Sequence, residues 1–90
     1  MNDSAEDRAL LLMNRASLKD LAEPGSSDYV RLQNIKRGRA RMGVAEAELL
    51  AKQFPQYALW LITGNIAPEI GQTSPEYDEA NRNLSNHEAG

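Results

Sequence analysis

The segment VRLQNIKRGRARMG, Val30 to Gly43, gathers Arg31, Lys36, Arg37, Arg39 and Arg41. These are five of the ten Lys and Arg residues of a 90-residue chain whose formal net charge is −3. No acidic residue interrupts Tyr29 to Ala45. A local excess of this kind repels itself unless an anion offsets it, so the segment asks for an anionic partner.

Chemistry of other kinds finds little support. The chain has no cysteine, which removes disulfides, thiolate catalysis and Cys-based zinc sites together and fits a reducing compartment. His87 is the one histidine, and no ligands converge on it. The serines at 4, 17, 26, 27 and 74 stand where helices begin, so capping explains them, and no His/Asp arrangement supports a nucleophile. The acids of Glu46/Glu48 and Asp78/Glu79 are two and one apart and do not share a helical face. Gly38, Gly43 and Gly64 read as helix punctuation, without the spacing of a phosphate-binding loop. No catalytic residue, metal site or cofactor is expected, and no small-molecule ligand is indicated.

Overall acidity conceals a division. Met1 to Asp28 holds three basic and six acidic residues, Tyr29 to Ile66 six and two, and Ala67 to Gly90 one and five. The middle is therefore +4 between flanks of −3 and −4. A phosphate backbone feels charge within a Debye length, about 8 Å at physiological salt, so the local patch outweighs the sum. No apolar run approaches the roughly 20 residues of a membrane span, and the acidic start differs from a signal peptide. A cytoplasmic protein without membrane association is expected.

The elements that must position the basic segment are helices. Ser4 can cap a first helix, with Asp7 three residues on and Ala9, Leu12, Met13 and Ala16 along one face. Ser17 opens a second, kept short because Pro24-Gly25 cannot continue it. Ser26 and Ser27 offer caps for a third, residues 27–37, which Gly38 ends. A fourth starts at Gly43 or Val44, carries Ala47, Leu50, Ala51 and Phe54 on one face, and closes at Pro55. The fifth, Gln56 to Thr63, is apolar on nearly every side before Gly64; such a helix is central to the core or shared with another molecule. Ser74-Pro75-Glu76 caps a last, weak helix over residues 75–84, and the end of the chain should fray. Sustained alternation is absent and β-branched residues are few, so no strand is expected. The fold class is all-α, a compact bundle of about five short helices.

A wheel of the third helix puts Tyr29, Leu32 and Ile35 on one side and Val30, Gln33, Asn34 and Arg37 on the other. Amides can pair with adenine N6 and N7, Arg with guanine O6 and N7, and Val with a thymine methyl. Arg39 and Arg41 follow in a loop, where guanidinium groups suit phosphates. The alternative for these residues is a solvated polar face.

Leu21-Ala22, the break at Pro24-Gly25, the cap at Ser26-Ser27, then Leu32 and Ile35 resemble a helix-turn-helix: a small residue ten positions before a core aliphatic lets two helices cross closely. The continuation NIKRGRARMGVAEAELLAKQFPQYALWLITG resembles that of phage-repressor and Cro-like (lambda-repressor-like) domains, and Trp60-Leu61-Ile62-Thr63-Gly64 is its most specific part. Two features depart from that family. Gly25 is three residues after Ala22 where four is usual, and the place often held by Trp, an acid and Gly reads Ile35-Lys36-Arg37-Gly38.

The resemblance implies a DNA-binding transcriptional regulator, with residues 1–66 as the helix-turn-helix domain and 67–90 as an acidic extension. Val30, Gln33, Asn34 and Arg37 are expected to read bases, and Ser27, Arg31, Lys36, Arg39 and Arg41 to hold phosphates of double-stranded DNA. A homodimer is expected, with Leu59, Leu61 and Ile62 at its interface, because six consecutive apolar residues exceed what one flank of a small domain hides. The extension, of charge −4, would act as a weak brake if it lay near the basic patch. The alternative function is a protein-interaction module that uses the same scaffold to bind another regulator.

Overall fold

Short helices joined by capped turns make up the computed structural model, which describes residues 4–89 and side chains as far as residue 82. In chain order they are α1 (Ala5–Arg15), α2 (Leu18–Leu21), α3 (Ser27–Lys36), α4 (Val44–Gln53), α5 (Ala58–Thr63) and α6 (Pro75–Ala89), with 3-10 turns at Pro55–Tyr57 and Pro68–Ile70. Among the described residues the only strand-like pairing is a single bridge between Ala67 and Gln72. The all-α bundle is as expected.

Each start has a local cause. Ser4 Oγ accepts the Asp7 amide at 3.1 Å, Ser26 Oγ the Tyr29 amide at 3.1 Å and Ser74 Oγ the Tyr77 amide at 3.1 Å, each satisfying one of the orphan donors of a first turn. Ser17 stands at the N-cap of α2 without a side-chain bond. Pro24 then ends any continuation. Gly25, at φ +89°, supplies the left-handed third position of a turn whose Ser26 amide returns to the Glu23 carbonyl at 3.0 Å. α2 is consequently one turn long, and Ala22, placed by the sequence inside the first helix of the motif, is its C-cap.

The core is one cluster. α1 contributes Ala9, Leu12 and Met13, α2 Leu21, α3 Leu32 and Ile35, α4 Leu50, and α5 Leu61. Phe54, Tyr57 and Trp60 pack at its edge, with ring centroids 5.9 Å and 6.3 Å apart in sequence order. Leu61, expected at an interface between copies, is only 1% exposed in this core and cannot be shared; Leu59 is half-buried, and of the three only Ile62 lies open, at 59%. The step of about 100° between neighbours on a helix decides which apolar residue faces inward, and the pattern of six in a row could not.

Arg8 is an unexpected member of the interior. Arg8 is 6% exposed, and its guanidinium donates from Nε to the Leu61 carbonyl at 3.1 Å and from Nη2 to the Ile62 carbonyl at 3.3 Å. These are end-of-helix carbonyls that α5 leaves without partners, so a cation from α1 caps α5.

The acidic extension docks away from the basic segment. Gln72 accepts the Leu59 amide at 2.9 Å and donates to the Pro55 carbonyl at 3.0 Å, the Thr73 amide reaches the Gln56 carbonyl at 2.9 Å, and the Tyr57 hydroxyl donates to Asp78 at 2.8 Å. Among the described residues no hydrogen bond or ion pair joins it to Arg31–Arg41, so the brake expected from charge alone has no contact behind it. α6 runs to Ala89, past the expected end at Leu84, because nothing from Glu76 to Ala89 is Gly or Pro. The His87 side chain lies outside the described residues.

Candidate nucleic-acid interface

α3 turns Leu32 and Ile35 inward and Tyr29 partly so, as the wheel requires. Its other side presents Val30, 49% exposed, with Gln33 and Asn34 half-buried and Arg37 open at the C-cap. Ser27 is the exposed first residue of the helix, and Lys36 and Arg39 are exposed at and beyond its end. The sequence-derived base-reading set therefore shares one helix face, and Lys36, Arg37 and Arg39 flank its C-terminal end.

The end itself is built to a fixed geometry. The Arg39 amide donates to the Asn34 carbonyl at 2.8 Å and the Gly38 amide to the Ile35 carbonyl at 3.0 Å, with Gly38 at φ +81°. This is the Schellman arrangement, which needs the left-handed residue that Gly adopts without strain. Arg39 accordingly leaves α3 in a set direction. Arg41, two residues on, keeps a side chain 91% exposed, with Nη2 3.8 Å from Glu6, a surface pair of little energetic weight.

Arg31 is arranged differently from its neighbours. Its Nε donates to Glu46 Oε2 at 2.7 Å and its Nη2 to the Arg41 carbonyl at 3.2 Å. Glu46, 5% exposed in the first turn of α4, uses Oε1 to accept the Gly43 amide at 2.9 Å. Burial pushes the Glu46 carboxyl up, but hydrogen bonds from Arg31, Gly43 and its own amide, with the Arg31 charge, outweigh it and hold the carboxyl below its ordinary value. Arg31, expected to serve phosphate, already has Nε and Nη2 engaged within the molecule, while its side chain is 48% exposed.

Arg8, Glu6 and Gln72 were not singled out from sequence, and Glu46 only as one of an acid pair without a shared face. Two carried a usable signal: Glu46 is three residues after Gly43, the capping-box spacing, and Arg8 falls on the apolar face of α1 beside Leu12, where an ionisable group needs a partner. Among the described residues no cluster of His, Asp or Glu has the makings of a metal site, and no helix is long and apolar enough to cross a membrane.

A groove of about 300 Å³ opens between α1, the start of α4 and the end of α5, with Ala5, Glu6, Ala9, Arg41, Val44 and Ile62 among its lining residues. It adjoins the basic loop on one side.

No protein-family model and no curated protein matches the chain. Among solved structures it is similar to Pf6r from the filamentous phage Pf6 of Pseudomonas aeruginosa PA01, with 40% identity, a TM-score of 0.81, and coverage of 91% of this chain and 98% of that one. The likeness extends over nearly the whole of both chains, and this protein belongs to the family of Pf6r.

Proposed function

We propose that this protein is a DNA-binding transcriptional regulator of repressor type that reads the major groove with α3. The observation that carries the reading is the division of that helix: Leu32 and Ile35 fix it to the core, while Val30, Gln33, Asn34 and Arg37 share the outward face beside exposed Lys36 and Arg39. Val30, Gln33, Asn34 and Arg37 would meet base edges, and Ser27, Lys36, Arg39 and Arg41 the phosphates. Kinship with a protein of a filamentous phage supports a phage origin.

A homodimer would present two such helices to half-sites about 34 Å apart. Ile62 and Val44, 59% and 86% exposed around the apolar groove, are the better interface residues now that Leu61 is accounted for by the core. Ile62→Glu should give monomers in sedimentation where the wild type gives dimers at micromolar concentration; a wild-type monomer would remove the half-site argument. The second reading, a protein-interaction module on the same scaffold, draws on α2, whose single turn is short for the positioning helix of a DNA-binding motif.

The test is a gel shift on random-sequence duplexes followed by selection of bound sequences. On the selected site Asn34→Ala and Gln33→Ala should each cost about 1–3 kcal/mol, with little effect elsewhere, since a lost amide-base pair removes discrimination and leaves the electrostatics. Both variants silent on every duplex, with the fold intact, would favour the protein-binding reading.

A further inference from the structure

The five cations of the basic segment do not do the same work. The loop from Arg37 to Gly43 carries Arg39 and Arg41, and it has no regular structure of its own to aim them. At its start the Arg39 amide is held by the Asn34 carbonyl at 2.8 Å. At its end the Gly43 amide is held by Glu46 at 2.9 Å. Between these ends Arg31 reaches across from the second turn of α3, taking the Arg41 carbonyl with Nη2 at 3.2 Å and Glu46 with Nε at 2.7 Å. One guanidinium and one carboxylate therefore close a ring through the recognition helix, the loop and α4. The fit is tight at Gly43, where a Cβ would lie 2.8 Å from Glu46 Oε1 and 3.4 Å from Arg31 Nη2. Glu6 adds a long contact from α1, its Oε2 accepting the Met42 amide at 3.5 Å.

We propose that Arg31 is a positioning residue and not a phosphate ligand: with Glu46 it sets the path of the loop and so the placement of Arg39 and Arg41 on the DNA backbone. This rests on the DNA-binding reading above. The chemistry asks for arginine, because a planar fork with donors on separate nitrogens can serve a carboxylate and a carbonyl at once, and the point charge of lysine cannot. It also makes Glu46, an acid beside a surface meant for phosphates, a contributor to binding.

The full chain is tested by anisotropy on a 20-bp duplex across a salt series, with Arg31→Gln, Arg31→Lys, Glu46→Gln and Arg39→Gln beside wild type. Arg39→Gln removes a phosphate contact and should lower the salt slope by about 0.9 for each copy bound. Arg31→Gln, Arg31→Lys and Glu46→Gln should each weaken binding about 3- to 30-fold at unchanged slope, and Arg31→Gln combined with Glu46→Gln no further, as expected for residues acting as one unit. Glu46→Gln separates the accounts most sharply, since removing an acid strengthens binding if charge alone matters. Tighter binding by Glu46→Gln, wild-type binding by Arg31→Lys, or a slope reduced by Arg31→Gln would each overturn the positioning role. Amide exchange of residues 39–43 without DNA is read in parallel and should be faster in the Arg31 and Glu46 variants only. Were wild type to bind no duplex, the DNA reading would fall, and unchanged exchange in those variants would independently overturn the positioning role.

Discussion

Replacing Arg8 tests the least expected feature of the fold. In Arg8→Met the aliphatic stem stays in the core and the guanidinium is lost, leaving the Leu61 and Ile62 carbonyls at the end of α5 without that donor. A hydrogen bond to a charged group contributes about 1.5–3 kcal/mol. The 3.1 Å bond counts in full and the longer 3.3 Å bond in part, so the loss should be about 3 kcal/mol. That is a large share of the roughly 5–13 kcal/mol expected for a domain of this size. With a urea slope near ~1.2 kcal/mol/M the midpoint should fall by about 2–3 M, and the melting temperature by about 12–24 °C. Arg8→Lys, which keeps a charge but reaches one carbonyl at a time, should fall between. Lys52→Ala, on an exposed position of α4, is the control and should stay within ~0.5 kcal/mol. An Arg8→Met protein within ~1 kcal/mol of wild type would refute the idea that α1 and α5 are joined by this cap.

Glu46 titrates below its ordinary value of about 4.5 in the folded protein, so its contribution is present above that pH and is lost as pH falls through the lowered value. Urea midpoints of wild type and Glu46→Gln should therefore differ most at neutral pH and converge on acidification; a gap that is constant with pH would contradict the ion pair. Burial, and then the bond to Asp78, raise the Tyr57 phenol above 10, so an ultraviolet titration should find its midpoint above that of free tyrosine and Asp78→Asn should lower it. That phenol supports stability fully below its unfolded pKa and loses it as pH rises through the folded one, and Tyr57→Phe should cost ~1 kcal/mol and speed amide exchange in the first turn of α6. Gly25→Ala meets no atom within 4 Å, so its cost is purely conformational, about 1–2 kcal/mol for a left-handed residue; a neutral result in urea unfolding would mean that the turn is free to rearrange.

Helix existence was legible from sequence wherever punctuation was local. Ser4, Ser26 and Ser74 cap through bonds to residues three positions on, and Gly38 and Gly64 stop helices in the left-handed conformation, all within the reach of a short window. The wheel of α3 also succeeded, because ten residues with two fully buried aliphatics define a face. What was not legible depends on contacts distant in sequence. Arg8 meets carbonyls 53 and 54 residues away, and Arg31 meets a carboxylate 15 residues away. Leu61 and Ile62 could not be told apart in α5, where six residues make less than two turns and every face looks apolar. The path of the extension was set by Gln72, a single amide that bonds two backbone groups with no periodic pattern around it.

The engagement of Arg31 changes how the charge pattern should be read. A count of cations in residues 31–41 treats all five as equally available to an anion, yet Arg31 already faces Glu46 and the Arg41 carbonyl. The end of α3 carries Lys36 and Arg37 and no acid. An internal carboxylate is instead supplied from the first turn of α4, where it also caps that helix. The end of α3 is wholly cationic, and the carboxylate that holds the loop comes from Glu46. Lys36, Arg37, Arg39 and Arg41 then project from one capped helix end and the loop it directs, and the protein remains acidic overall because its carboxylates concentrate on the flanks. The sign of the net charge and the sign of the surface around the end of α3 are set by different parts of the chain.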